Sequence, residues 1–211
     1  RPKYDSDNGW GWHNGLELPV AHNDDLYFYI RNEWYTKSGY KPDVGFSYST
    51  PFGWFNFHYA EKESSINDEG GLWIKKRPAL EFKSNRYYLF KSPFYAGING
   101  EIGYWDEERA GGNRKGSYKG FDVYISGDPV KLGKFLTFNW RTGIAKDYYG
   151  YQNEIRENKY YSVGLMGGYR AVSGWINYTN RAITGYTPYL YDTFSTTKPI
   201  DIGSVSYTHL R

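Results

Sequence analysis

Apolar and polar residues alternate along the segment FYAGINGEIGYW, residues 94–105. One set of alternate positions includes Ile98 and Ile102, whereas the intervening set includes Asn99 and Glu101. A period of two predicts a β-strand with one apolar and one polar face. The predicted strand is about twice as long as strands usually are in globular proteins. A long strand of this kind needs an environment that differs sharply between its two faces.

The same alternation recurs in roughly ten or eleven segments, and no segment has the period of a helix. The connections also alternate, with short turns near residues 22–24, 50–53, 127–131 and 171–174 and longer charged loops at 62–71, 106–119, 146–159 and 181–200. This arrangement is typical of a transmembrane β-barrel, because lipid offers backbone groups no hydrogen-bond partners and only a helix or a closed sheet can span it. We therefore predict an all-β, antiparallel transmembrane β-barrel, or part of one, in a single domain over residues 1–211 with roughly 10–12 strands.

In this interpretation the two faces have different surroundings. Ile98 and Ile102 face hydrocarbon, and Asn99 and Glu101 face a hydrated lumen. Aromatic residues near the predicted strand ends are expected to form girdles at the lipid headgroups, namely Tyr104, Trp105, Tyr148, Tyr149, Tyr160 and Tyr161. The alternative is a soluble β-sandwich or a sugar-binding β protein, against which the strand length and the number of outward aromatic residues argue.

The composition narrows the class further. Aromatic residues make up 21% of the chain, hydrophobic residues only 39%, and the mean hydropathy is −0.76. The chain is therefore too polar for a bundle of membrane helices and too aromatic for a disordered protein. A net charge of +3 does not indicate a nucleic-acid partner. The chain begins at Arg1 with no leader sequence, which favours a processed protein or a fragment.

Candidate catalytic and metal-binding chemistry is sparse. The four histidines have no spacing typical of a metal site, and the absence of cysteine excludes disulfides and thiolate ligands. The segment DSDNG begins like a calcium loop, but Trp10 and Leu16 occupy positions that need glycine and glutamate. We therefore expect no enzyme activity, no catalytic residue, no metal and no cofactor, with an outer-membrane hydrolase as the enzymatic alternative.

Several stretches, taken in order, carry a resemblance to a known family. They are RPKYDSDNGWGW, LPVAHNDDLYFYIRNEWYTKSGY, KKRPALEFKSNRYYLFKSPFYAGINGEIGYWDEE, GFDVYISGDPVKLGKFLTFNWRTG and GYTPYLYD. Together they resemble the C-terminal barrel of the lipopolysaccharide-assembly outer-membrane proteins, the LptD or OstA family. The resemblance covers nearly the whole chain.

The resemblance implies a place in the outer membrane of a Gram-negative-type bacterium and a non-catalytic function in lipopolysaccharide transport and assembly into the outer leaflet. It also implies lipopolysaccharide, a plug lipoprotein and periplasmic bridge components as partners, and no nucleic acid. The chain departs from the family in having fewer strands, no jelly-roll domain and Arg211 in place of a terminal aromatic residue. We therefore expect a truncated barrel in which 204–211 is a candidate non-native tail. The alternative function is a general, porin-like passive diffusion channel.

Four residues are candidates for functional positions. Arg109, Arg114 and Lys115 lie in a predicted glycine-rich loop, where their cations are expected to bind lipopolysaccharide phosphates; the alternative is a solvated loop of mixed charge. Pro19 ends the first predicted strand and cannot donate a ladder hydrogen bond. It is a candidate for a weak seam at a lateral gate, with a simple strand terminator as the alternative.

Overall fold

The computed structural model describes residues 2–5, 9–20, 23–36, 39–64, 72–108, 112–169, 172–190 and 200–206. Within these ranges, no helix is long and apolar enough to cross a membrane. The strands are β1 (Pro2–Asp5), β2 (Gly9–Val20), β3 (Asn23–Tyr35), β4 (Gly39–Thr50), β5 (Gly53–Ser64), β6 (Leu72–Ser84), β7 (Tyr87–Tyr88), β8 (Phe94–Glu108), β9 (Arg114–Gly127), β10 (Val130–Leu132), β11 (Leu136–Tyr149), β12 (Glu154–Tyr169), β13 (Val172–Gly185) and β14 (Ile200–Ser206).

All fourteen strands belong to one antiparallel sheet, so the predicted all-β, antiparallel fold is confirmed. The main strands pair with their neighbours along the chain in the order β1-β2-β3-β4-β5-β6-β8-β9-β11-β12-β13-β14, while β7 pairs with β8 and β10 with β11. Within the described ranges, no pairing joins β1 to β14. Residues 204–206 of the candidate tail belong to β14 and pair with β13, and 207–211 lie outside the described residues.

The predicted alternation of faces is present in the middle of the sheet. On β8 the side chains of Ile98 and Ile102 are 45% and 58% exposed, whereas Asn99 and Glu101 on the other face are half-buried. On β9 every second residue from Phe121 to Ile125 is likewise exposed. The face that carries exposed hydrophobic residues is called the apolar face below, and the opposite one the polar face.

Two of the long loops that the sequence predicted are largely strand. In place of a loop over 106–119, β8 runs to Glu108 and β9 begins at Arg114; in place of a loop over 146–159, β11 runs to Tyr149 and β12 begins at Glu154. The charges that led to the prediction form cross-strand ion pairs, Lys115 with Asp106 at 3.1 Å and Arg156 with Asp147 at 2.7 Å. At the opposite end, the predicted short turn at 127–131 is wrong, because β10 lies there. The contrast between long loops at one end and short turns at the other is thus weaker than predicted.

The predicted aromatic girdle also divides between the two faces. Tyr104, Tyr148 and Tyr161 are exposed on the apolar face, as a girdle requires. Their sequence neighbours Trp105, Tyr149 and Tyr160 lie on the polar face, because successive side chains of a strand point to opposite sides. The side chains of these three residues therefore lie in the interior of the molecule and not in a girdle.

An irregularity in β6 decides which of its side chains share a face. The pairing of β6 with both neighbouring strands shifts between Lys76 and Ala79, so that Arg77 and Pro78 form a bulge. Because the bulge adds one residue, Lys76 and Glu81 lie on the same face although they are an odd number of positions apart. Proline belongs at such a place, since it has no amide to donate to the ladder.

Candidate functional site on the polar face

The polar face buries charged and amide side chains. The buried members include Ser47, Asn56, His58, Lys76, Asp147, Arg156 and Asn158. All described strands belong to a single sheet, so these side chains can be covered only if the sheet curls around them. The polar face is therefore the inner, concave one.

A row of ionisable side chains crosses four adjacent strands of this face; we call it the charge ladder. Its members are Asp43 on β4, His58 on β5, Glu81 and Lys76 on β6, and Glu101 on β8. His58 Nδ1 lies 3.2 Å from Asp43 Oδ1, and its Nε2 lies 3.3 Å from Glu81 Oε1, an ion-pair distance without good hydrogen-bond geometry. Lys76 Nζ donates to Glu81 Oε1 at 3.2 Å and to Glu101 Oε2 at 2.6 Å. The ladder therefore links the four strands through side chains as well as through backbone pairing.

Trp105 ends the charge ladder and joins it to an aromatic cluster. Its indole Nε1 donates to Glu101 Oε1 at 2.8 Å, and Lys76 Nζ lies 5.4 Å from its ring centroid. The Trp105 ring stacks on Tyr118 with a centroid separation of 3.8 Å. The cluster comprises Ile74, Trp105, Tyr118, Tyr149 and Tyr189.

Two arginine pairs continue the polar face across β9, β11 and β12. Arg141 pairs with Asp122, and the Tyr160 hydroxyl accepts from Arg141 Nε at 2.9 Å and donates to Asp122 at 2.8 Å. Arg156 donates to Asp147 Oδ2 from both Nε at 3.0 Å and Nη2 at 2.7 Å. Both members of the Arg156–Asp147 pair are more than nine-tenths buried, so their charges are compensated by each other rather than by bulk water.

A cavity of about 310 Å³ lies between the charge ladder and the arginine pairs. The polar side chains of its lining come from β6, β8, β9 and β11: Glu81, Lys83, Asn99, Glu101, Tyr118, Asp122 and Asp147. This volume is at the small end of the range for ligand-binding pockets. Each of the four carboxylates already accepts a hydrogen bond from a cation or an amide on the same face. The cavity is therefore polar and electrostatically compensated, as a hydrated interior would be.

Residues 186–190, which follow β13, fold against one end of the polar face. The Arg114 guanidinium donates to the Pro188 carbonyl, and the Tyr186 hydroxyl donates to Gln152 Oε1 at 2.9 Å. Tyr189 is buried with its ring centroid 5.5 Å from that of Trp105, and this burial raises the pKa of the Tyr189 phenol. This segment narrows the interior at the end of the sheet where β8 ends and β9 begins.

The structure does not gather the predicted phosphate-binding cations into one site. Arg109 lies outside the described residues. Arg114 is half-buried on the polar face and engaged with Pro188, whereas Lys115 points to the opposite side and pairs with Asp106. Phosphate binding by these residues stays a prediction.

Pro19 lies exposed on β2, opposite Tyr27, and the pairing of β2 with β3 shifts register directly after it. Among the described residues, only Gly9–Trp12 of β2 pair with β1. Pro19 therefore marks an irregular place in the first long strand, which agrees with either of the interpretations that the sequence left open.

The sequence analysis did not identify the charge ladder. The alternation assigned Glu101 to the polar face, but it could not pair Lys76 with Glu81 because their odd spacing predicts opposite faces. Pro78 in the middle of an alternating segment was the available signal, since proline within a strand indicates a bulge. Among the described residues, no group of three or more histidine and carboxylate side chains could hold a metal ion.

Comparison with known proteins does not identify a family for this chain. No protein family model matches the chain, and no curated protein matches it. A solved structure with some likeness is that of a NanC porin, which is 11% identical over 84% of each chain with a TM-score of 0.29. A likeness of this size carries no argument about fold or function, so those conclusions depend on the chain's own geometry.

Proposed function

We propose that this sheet is a β-barrel, or part of one, that spans an outer membrane with its apolar face toward lipid and its polar face toward a hydrated lumen. One observation carries the proposal: the usual distribution of side chains is inverted. Large hydrophobic residues such as Ile98, Ile102 and Val123 are exposed, whereas Lys76, Asp147 and Arg156 are buried.

The inversion has a clear physical meaning. A soluble protein buries aliphatic side chains and rarely exposes a large continuous apolar surface. Here the exposed apolar residues continue from strand to strand, since Ile98 pairs with Val123 and Val123 with Ile144. In water such a band would favour aggregation, whereas in a bilayer it is the surface that lipid chains cover.

Within this general proposal, the specific function we propose is lipopolysaccharide assembly into the outer leaflet, in concert with a plug lipoprotein and periplasmic bridge components. What supports it is the ordered resemblance of the sequence segments to the LptD or OstA family. The register shift after Pro19 lies between β2 and β3 and not at a seam between the first and last strands, so it does not add to this support.

A passive diffusion channel is the second candidate, and the polar cavity favours it. The cavity has a charged lining, in which all four carboxylates accept hydrogen bonds, and such a lining is of the kind that borders a water-filled path. The charge ladder and the 186–190 segment occupy the interior, and they argue against a wide pore. A channel of this kind would therefore pass only small ions.

The general proposal is tested by folding the purified chain into phospholipid vesicles and measuring protease protection and heat-modifiable migration in gels. We expect a protected, heat-modifiable form; a chain that stays fully digestible in vesicles and soluble without them would contradict the barrel.

The two specific functions are separated by a second pair of measurements. For lipopolysaccharide assembly, Pro19→Val in the full-length gene product should slow delivery of lipopolysaccharide to the cell surface, detected as increased sensitivity of the cells to large antibiotics. For a channel, the same variant should leave surface lipopolysaccharide unchanged, and the wild-type chain should conduct ions in planar bilayers. Steady conductance together with normal surface lipopolysaccharide would overturn the assembly proposal.

A further inference from the structure

One end of the sheet carries cations and exposed aromatic residues together. The connections 85–93 and 128–135, which include β7 and β10, lie at this end, beside the turn at 51–52. We call this surface the basic rim. It comprises Phe52, Arg86, Phe90, Lys91, Val130, Lys131, Leu132, Lys134 and Phe135.

Hydrogen bonds join the three connections into one unit. The Tyr87 hydroxyl donates to the Phe52 carbonyl at 2.9 Å, and Asn85 Nδ2 donates to the Pro51 carbonyl at 2.8 Å. The Tyr88 hydroxyl donates to Asp128 Oδ1 at 2.9 Å, and the Asp128 amide donates to the Pro93 carbonyl at 2.8 Å. The rim is therefore a cross-linked platform at the end of the strands.

The charge of the basic rim is one-sided. Asp128 is the only carboxylate in 85–93 and 128–135, and it lies 3.7 Å from Arg86. Lys91, Lys131 and Lys134 are exposed, and the described residues supply no ion pair to any of the three. Two lysines toward the opposite end differ: Lys75 pairs with Glu108 at 2.6 Å, and Lys115 with Asp106. The described residues supply no ion pair to Lys119 or Lys146 near the opposite end either, so what distinguishes the rim is that three such lysines lie within two short connections that carry a single carboxylate.

The exposure and backbone conformation of Phe90 indicate which surroundings the basic rim contacts. Its side chain is 99% exposed, and its backbone adopts a left-handed conformation with φ of 51°, followed by Lys91 with φ of 58°. Non-glycine residues rarely adopt this conformation, because their side chains strain the backbone there. The strained turn holds an aromatic ring beside an ammonium group, at the edge of the apolar face that the proposed function assigns to lipid.

We propose that the basic rim docks on the phosphate-bearing headgroups of anionic lipids in the adjoining leaflet. Lysine ammonium groups bind phosphate oxygens, and aromatic rings favour the interface between headgroups and chains. The charges are complementary, and the rim is continuous with the apolar face. This proposal depends on the proposed function, because only a membrane-spanning sheet brings the rim to the headgroups.

The test compares two charge-matched variants of the whole chain. The rim variant carries Lys91→Gln, Lys131→Gln and Lys134→Gln, and the control carries Lys119→Gln, Lys146→Gln and Lys159→Gln, nearer the other end. Each is folded into phosphatidylcholine vesicles, and insertion is scored by protease protection. The preference of each inserted protein for spin-labelled phosphatidylglycerol over spin-labelled phosphatidylcholine is then measured at low salt.

We expect wild type and control to prefer the anionic lipid, and the rim variant to lose about two- to fivefold of that preference per lysine. Equal losses in the two variants, or no preference in an inserted wild type, would overturn the rim proposal alone. Failure of the wild type to insert would overturn the proposed function and the rim with it. Replacement of chloride by inorganic phosphate at equal ionic strength should not abolish the preference; if it does, the rim is a free-anion site and the proposal is wrong.

A second measurement does not depend on lysine chemistry. Since the chain has no cysteine, Phe90→Cys and Asn113→Cys can each carry one polarity-sensitive fluorophore, at the rim and at the opposite end. We expect the emission from position 90 to shift to the blue on insertion into anionic vesicles more than the emission from position 113. Equal shifts at both positions would mean that the rim has no closer contact with the headgroups than the opposite end has, and would contradict the proposal.

Discussion

The side chains on the two faces of the same strands are accommodated in opposite ways. On the apolar face, the aliphatic side chains of Ile98, Val123 and Ile144 are exposed side by side. On the polar face of β9 and β11, Asp122 and Asp147 are held by arginines. The first face depends on its surroundings, whereas on the second these aspartates and arginines compensate each other's charge.

The comparison shows which face of the sheet restricts the side chains that it can accept. An apolar face that only needs lipid tolerates many aliphatic and aromatic side chains, since it has no packed partner to fit. The polar face must pair each charge within the chain, because an uncompensated buried charge is costly. Substitutions should therefore have large, position-specific effects inside and effects that depend mainly on polarity outside.

The largest effect is expected from breaking a buried pair. Asp147→Ala removes the carboxylate that accepts two hydrogen bonds from the Arg156 guanidinium and one from the Tyr118 hydroxyl. Loss of one member of a buried ion pair costs about 3–5 kcal/mol. Unfolding by urea from vesicles should show this loss in the free energy of unfolding.

The matched control for that variant is Glu17→Ala. Glu17 pairs with Arg31 at 2.7 Å, but both side chains are half exposed. An exposed pair contributes about 0–1 kcal/mol, so the two variants should differ severalfold in cost. Glu17 and Arg31 also lie on the polar face, beside Tyr29 and Asp43, so similar costs would mean that the centre of this face is open to bulk water to the same degree as its β2–β3 part.

A smaller but still large effect is expected from placing a cation on the apolar face. Ile98→Arg should reduce the free energy of folding into vesicles by about 2–4 kcal/mol, the cost of arginine near the bilayer midplane. The control is Asn99→Arg, the next residue, which lies on the polar face opposite Asp122. There the new cation meets a carboxylate, and folding yields in vesicles should stay close to wild type. Equal yields for the two arginine variants would contradict the assignment of faces.

The smallest effect concerns a single hydroxyl of the polar face. Tyr160→Phe removes one donor to Asp122 and one acceptor from Arg141 but leaves the ion pair between them. We expect a loss of about 1–2 kcal/mol in the free energy of unfolding, since hydrogen bonds to charged groups exceed neutral ones. Tyr161→Phe on the apolar face should be nearly neutral by the same measurement. A larger loss at position 161 would reverse the comparison.

Much of the sheet could be predicted from the sequence because a period of two is a local signal. Alternation along 94–105 and 121–126 identified strands and faces without knowledge of the pairing. The sequence predicts loops at the charged ends of these strands, because a local pattern cannot show that Lys115 forms an ion pair with Asp106 on the neighbouring strand.

The interior site was harder to predict than the sheet. The charge ladder needs the bulge at Arg77 and Pro78, and the burial of Tyr189 needs a connection that returns over the polar face. Both depend on residues distant in the sequence. Lipopolysaccharide transport, the partners and the roles of Arg109, Arg114 and Lys115 stay predictions.

The assignment of the apolar face to lipid is tested most directly by the accessibility of two adjacent positions. Ile98→Cys and Asn99→Cys can be labelled singly, because the chain contains no cysteine. With the folded protein in vesicles, a fluorophore at position 98 should be quenched by brominated lipid chains and protected from aqueous iodide. A fluorophore at position 99 should show the reverse. Quenching of both positions by iodide, with neither affected by brominated lipid, would contradict a membrane-spanning sheet.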